Sequence, residues 1–75
     1  MRRARRIREQ AQLTLADVMR STTLDVGNLS RFERGERGMS VAALAELVQF
    51  YASRGIVTTI DEMILDDDTS DAESA

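Results

Sequence analysis

LTLADVMRSTTLDVGNLSRFERG, running from Leu13 to Gly35, holds two short helical patterns, a polar turn between them and a glycine stop. Thr14 is a good N-cap for a helix over Leu15–Ser21, and Asp17 stands three residues on, as the short-armed partner of a capping box. Leu15, Val18 and Met19 make the apolar stripe of that helix. Ser21, Thr22 and Thr23 have poor helix propensity and interrupt the pattern, so Ser21–Asp25 is read as a turn. Asp25 caps a second helix, Val26 to Arg34. On a helical wheel Leu29, Phe32 and Glu33 fall together, while Gly27, Ser30, Arg31 and Arg34 fall on the opposite side. Gly35 supplies the left-handed residue that ends a helix. These are the proportions of a helix-turn-helix, a unit that presents its second helix to a DNA major groove.

On the N-terminal side, Ala4, Ile7 and Ala11 share one face of a predicted helix over Arg3–Gln10, and an Arg cluster occupies its other faces. On the C-terminal side, Glu36–Met39 reads as a loop and Ser40 as the cap of a helix over Val41–Ser53. Val41, Leu44, Ala45, Leu47, Val48 and Tyr51 form its apolar stripe. Phe50 falls off that stripe and is expected to be exposed. Gly55 ends the helix. Thr59-Ile-Asp-Glu62 reads as a full capping box, which predicts a last short helix over Ile60–Leu65. Its rival is a short β-branched strand through Ile56–Ile60. The domain therefore spans residues 1–65, and 66–75 reads as a disordered acidic tail.

Seventy-five residues allow one domain with a modest core. The chain has no Cys and no His, which removes disulfides, thiolate metal sites and imidazole chemistry. The remaining carboxylates are scattered or confined to the tail. No nucleophile–base pair or metal constellation is visible, so neither enzyme activity, a metal nor a cofactor is expected. No apolar run approaches the ~20 residues of a membrane span, and the Arg-rich N-terminus lacks the apolar segment of a secretory signal. A cytoplasmic protein without membrane contact is expected. The formal net charge of −3 looks wrong for a nucleic-acid binder, but five of the acidic residues lie in the last ten. Residues 1–65 carry ten Arg against eight acidic residues, a balance of +2. All ten basic residues are Arg, whose planar fork suits phosphate and guanine.

Leu13-Thr14 stands where one known family has Leu-Ser or Leu-Thr. Leu29-Ser30-Arg31-Phe32-Glu33-Arg34-Gly35 runs parallel to that family's Ile-Ser-Arg-Ile-Glu-Arg-Gly, with no gap between the two segments. The chain thus resembles the Xre family of helix-turn-helix regulators over residues 3–65. That family takes in phage repressors, Cro proteins and restriction–modification controller proteins. The resemblance implies an all-α, compact five-helix, lambda-repressor-like domain whose third helix enters the major groove. It implies phosphate contacts from the start of the second helix and from the loop after the third, and dimers acting on palindromic operators. Arg8 matches the first-helix Arg that pairs with the family Glu at Glu33, which agrees with the inward turn of Glu33 on the wheel. Asn28 and Arg31 fall on positions facing bases or flanking phosphates, with Ser30 on the same outer side, and Thr14, Arg34 and Arg37 fall at or near phosphate contacts.

The departures matter too. Leu15 replaces a common Gln and removes a polar phosphate contact. Met19 replaces the usual Ala, so the second and third helices are expected to pack less closely. Thr23 replaces the turn Gly. Val26 and Gly27 occupy the first recognition positions; Val26 can touch a thymine methyl, and Gly27 reads no base. Readout is therefore expected to rest chiefly on Arg31, with DNA shape taking a larger share.

The leading reading is a DNA-binding transcription regulator acting as a homodimer on double-stranded operator DNA. Phe50, Val57, Ile60 and Ile64 are its candidate dimer surface, being apolar residues left over after the core is filled. The alternative is a protein-interaction module of the same fold, an antitoxin or anti-repressor, whose acidic tail binds a basic partner.

Overall fold

The computed structural model describes residues 1–66, which form five helices and no strand. They are α1 (Arg3–Gln10), α2 (Leu15–Ser21), α3 (Val26–Glu33), α4 (Val41–Ser53) and α5 (Ile60–Ile64). The segment 66–75 that reads as a disordered tail lies outside the described residues, except for Asp66. Residues 56–59 are not a strand, so the helical alternative stands for the last element among the described residues.

Four side-chain caps start four of the helices. Thr14 and Asp17 form both halves of the capping box of α2, at 3.0 and 2.8 Å. Asp25 accepts from Asn28 N, Ser40 from Ala43 N and Thr59 from Glu62 N. The last of these is one half of the box that the sequence suggests at Thr59. Each such bond satisfies one of the free N–H groups that a helix N-terminus leaves. The C-termini of α3 and α4 close in the same way as each other. Gly35 (φ +80°) donates to Phe32 O and Glu36 N to Arg31 O; Gly55 (φ +79°) donates to Ala52 O and Ile56 N to Tyr51 O. Arg34 becomes the C-cap of α3 rather than its last helical residue.

The end of α1 uses the same pair of bonds without a glycine. Gln12 N donates to Glu9 O, Leu13 N donates to Arg8 O, and Gln12 sits at φ 61°. A side chain in that region crowds its own carbonyl. Gln12→Gly should therefore raise the unfolding free energy by roughly 0.5–1 kcal/mol, the relieved strain exceeding the extra chain entropy of glycine. A urea titration decides it: an unchanged or lower midpoint would mean that Gln12 is not strained.

The helices enclose one core of Ala4, Val18, Leu29, Phe32, Leu44, Leu47, Phe50, Tyr51 and Met63. α1 packs on α3 and α5, α2 on α3, and α4 on α5. Phe50 corrects the helical-wheel reading. It is only 7% exposed, meets Tyr51 edge-on at 5.3 Å between ring centroids, and lies 5.0 Å beneath the Arg54 guanidinium. α4 is covered on more than one face, so its buried sector is wider than a single stripe. Phe50 therefore offers little surface to a second copy. Val41, placed on the stripe, is instead 72% exposed as the first residue of α4. Met19 is also exposed, so it does not wedge α2 away from α3. Burial pushes the Tyr51 hydroxyl well above the usual phenol range, and the nearby Glu33 charge adds to that, so it stays neutral.

The chain's first residues close the bottom of the bundle. Arg2 N donates to Glu33 O at 2.7 Å, Arg3 N donates to Leu65 O at 2.8 Å, and Arg2 bridges Asp66 in antiparallel fashion. The Arg2 guanidinium lies 4.6 Å over the Phe32 ring. An arginine that composition alone offers for phosphate thus covers the core.

Candidate nucleic-acid interface

The seat of α3 is set by a buried ion pair. Arg8 Nε donates to Glu33 Oε2 and its second terminal nitrogen to Glu33 Oε1, both at 2.9 Å. The remaining nitrogen donates to Leu13 O at 2.9 Å, in the turn between α1 and α2. Glu33 is 2% exposed. The hydrogen bonds to Glu33 raise the Arg8 pKa above its ordinary value against the opposing pull of burial, so the guanidinium is always charged. Two parallel charge-assisted bonds fix the rotation of α3 about its axis as well as its position. Leu29, Phe32 and Glu33 then face the interior, and the opposite side of α3 is left to solvent.

That outer side carries Gly27, Asn28, Ser30 and Arg31, with Val26 at its start and Arg34 just past its end. Val26, Arg31, Arg34 and Arg37 are exposed, while Gly27, Asn28 and Ser30 are half-buried. The Arg31 side chain runs back along the helix, and its guanidinium donates to Asn28 Oδ1 at 3.3 Å. Arg34 pairs with Glu36 across the loop, Nε to Oε2 at 3.2 Å. Two open hollows flank the helix. One, of about 230 Å³, brings Ser30 and Arg34 together with Arg5 and Leu15. The other, of about 380 Å³, joins Asn28 with Thr23, Arg37 and Ser40. Thr14 is exposed at the start of α2, its hydroxyl already engaged by Asp17 N.

Two features of this surface escape a reading by local pattern. Arg5 belongs beside Ser30 and Arg34, yet it is one of five arginines on the first eight residues and nothing in their spacing separates it from the rest. It holds Glu9 at 2.9 Å. Glu46 of α4 reaches the helix-turn-helix turn, where it accepts from Thr23 N and from Thr23 Oγ1, each at 2.7 Å. The hydroxyl bond is one that the glycine usual at this place could not offer. The other candidates lie elsewhere: Val57 is 93% exposed in the loop before α5, Ile64 is exposed, and Ile60 is half-buried against the core.

The hydrogen bonds from Thr23 hold the Glu46 carboxyl below its ordinary value of 4.5, and those from Thr14 hold Asp17 below 3.8. A depressed folded-state value means stability that is present above the ordinary carboxylate range and lost as pH falls through the folded value. Unfolding midpoints in urea should therefore decline below about pH 4.5. Glu46→Gln should flatten part of that decline; the same pH dependence in variant and parent would show that the Thr23 bonds contribute nothing.

A small all-helical domain that aims an arginine-bearing helix outward, with its neighbour helix and turn locked behind it, is a DNA-binding helix-turn-helix protein. A family model described as a helix-turn-helix domain matches residues 2–55, and the chain belongs to that family. No curated protein and no solved structure matches the chain. The family is typically non-enzymatic, and no described helix is long and apolar enough to cross a membrane.

Proposed function

We propose that the protein is a cytoplasmic transcription regulator of the Xre type that binds a palindromic operator as a homodimer, with α3 in the major groove. The observation that carries this reading is the outer side of α3: Asn28, Ser30 and Arg31 lie between two hollows that each hold an arginine. A helix in the groove meets base edges along its exposed side, and the two strands' phosphates lie to either side of it. Arg31 and Asn28 contact bases, and Val26 meets a thymine methyl. Ser30, Thr14, Arg34 and Arg37 contact phosphates, and Arg5 joins them. The dimer forms through Val57, Ile60 and Ile64, which places two α3 helices about 34 Å apart, one DNA turn.

Selection of bound DNA from a random pool, followed by binding at several salt concentrations, tests this. A palindrome with half-sites one turn apart and a steep loss of affinity with salt is the expected result. Enrichment of no sequence, with a flat salt response, would instead favour a protein-interaction module of the same fold. Light scattering that found only monomer, with and without the selected DNA, would remove the dimer.

The acidic segment acts against DNA binding in this reading. Asp66 shares a hollow with Arg34 and Gly35, so Asp67, Asp68, Asp71 and Glu73 follow from a point beside the phosphate-contacting loop. Truncation after Asp66 should raise affinity at low salt and change little at high salt, where screening shortens the interaction. Lower affinity after truncation would give the segment the opposite role.

A further inference from the structure

We propose that Gly27 is a specificity-determining residue of the DNA interface: its missing side chain leaves open the strip of α3 over which the Arg31 guanidinium lies. The inference rests on the DNA-binding reading of α3. It assigns Gly27 a role that a residue without a side chain does not advertise, since Gly27 touches no base itself and acts through Arg31.

The geometry is local and specific. Helical side chains lean toward the helix N-terminus, so Arg31 extends back over the turn that holds Gly27 and Asn28. A Cβ at position 27 would lie 3.7 and 3.9 Å from the two terminal nitrogens of Arg31. One atom there is therefore in ordinary contact with the guanidinium, and a longer side chain competes with the guanidinium for the space it fills. Asn28 Oδ1 accepts from Arg31 at 3.3 Å and holds the planar fork over the gap. On the other side, the same Cβ would stand 3.2 Å from Asp25 Oδ2, the oxygen that caps Asn28 N. A side chain at 27 is thus hemmed between the cap carboxylate, which has to give by a few tenths of an ångström to admit the Cβ, and the flexible Arg31 fork, which has to give to whatever lies beyond it.

The consequence is positional. Arg31 starts in the sixth of the eight residues of α3, yet its charged end is delivered to the helix's N-terminal turn. The N-terminal residues of a recognition helix are those that contact base edges. A guanidinium held there in a fixed plane is suited to the paired O6 and N7 acceptors of guanine. A positive charge at the N-terminal end of a helix is opposed by the helix dipole, and the Asp25 carboxylate beside Gly27 offsets that, while Asn28 and the open strip set where the fork lies.

A double-mutant cycle tests this. The Arg31→Ala variant first identifies the base pair whose identity matters through Arg31. The ratio of affinities for the selected site and for the site changed at that pair is then measured in four proteins: parent, Gly27→Leu, Arg31→Ala and the double variant. Gly27→Leu should lower the ratio about tenfold in the parent background and leave it unchanged in the Arg31→Ala background. Gly27→Ala, which adds only the one contacting atom, should keep most of the preference. Thermal melts check that α3 persists, and Gly27→Gln serves in place of Gly27→Leu if that variant melts early. A ratio that Gly27→Leu does not change, or that falls equally in both backgrounds, overturns the role of Gly27 while leaving the DNA-binding reading intact. A parent protein with no preference among sequences overturns that reading, and this inference with it.

Discussion

Glu33→Gln and Arg8→Met should each lower the unfolding free energy by about 3–5 kcal/mol, the largest change expected from any substitution outside the apolar core. Neither effect measures attraction between the partners alone. With Glu33 replaced by Gln, the Arg8 guanidinium stays in a site from which water is largely excluded, faces an NH2 donor in place of one carboxylate oxygen, and keeps only neutral acceptors, the amide oxygen and Leu13 O. With Arg8 gone, Glu33 remains 2% exposed with both of its carboxylate bonds lost. Arg8→Met also releases Leu13 O in the strained turn at Gln12, so it should be the more damaging of the two. A domain of this size holds only a few kcal/mol of net stability, and either change should leave a large unfolded fraction near 37 °C. The double variant Arg8→Met with Glu33→Leu should recover much of the loss, because an apolar pair of similar volume needs no desolvated charge. Thermal and urea unfolding of the three proteins settles the point. Single-variant changes near zero would show that the pair is solvated in solution and does not seat α3.

Arg31→Ala should weaken binding to the selected operator by about 1–3 kcal/mol and relax the preference at one base pair, a guanine. Arg34→Ala and Arg37→Ala should act differently: they should weaken binding to all sequences alike and make the salt slope shallower by about one unit each. The difference follows from where the charges sit. The Arg31 fork lies over the first turn of α3, held by Asn28, whereas Arg34 is past the helix end and Arg37 in the loop that follows. Arg34 must leave Glu36 to reach a phosphate, so its substitution should have the smaller effect of the two. Affinities for operator and scrambled DNA over a range of salt concentrations separate the roles. Equal losses on both DNAs for Arg31→Ala would remove it from base recognition.

The helices themselves were legible because their ends are written locally. Thr14, Asp25, Ser40 and Thr59 each cap the next residues' N–H groups, and Gly35 and Gly55 take the left-handed turn that stops a helix. Such signals act within four residues, so they survive without knowledge of any partner. The inward set Leu29, Phe32 and Glu33 was legible for a related reason: one helix has one periodicity, and a carboxylate within the apolar sector demands a cation. The resemblance supplied Arg8 as that cation, and the structure puts the two side chains in contact.

What only the tertiary structure decided depends on where helices distant in sequence come to lie. Phe50 is off the main stripe of α4, but α4 is covered on a second side, so a period count misjudges it. Gln12 takes the left-handed turn with no glycine to mark it: Leu13 N and Leu13 O are both tied to Arg8, and the Arg8 side chain is in turn held by Glu33 of α3, which no local signal displays. Glu46 of α4 finds the turn residue Thr23 across 23 positions, and Arg5 of α1 finds Ser30 and Arg34 where α1 packs on α3, so folding brings together residues that no local signal pairs. The same holds for recognition. The sequence by itself determined that α3 bears Arg31 outward beside a glycine; only the packed structure decided that the guanidinium crosses that glycine. Local periodicity gives the side of a helix a residue occupies, while the direction and reach of a long side chain depend on the space its neighbours leave.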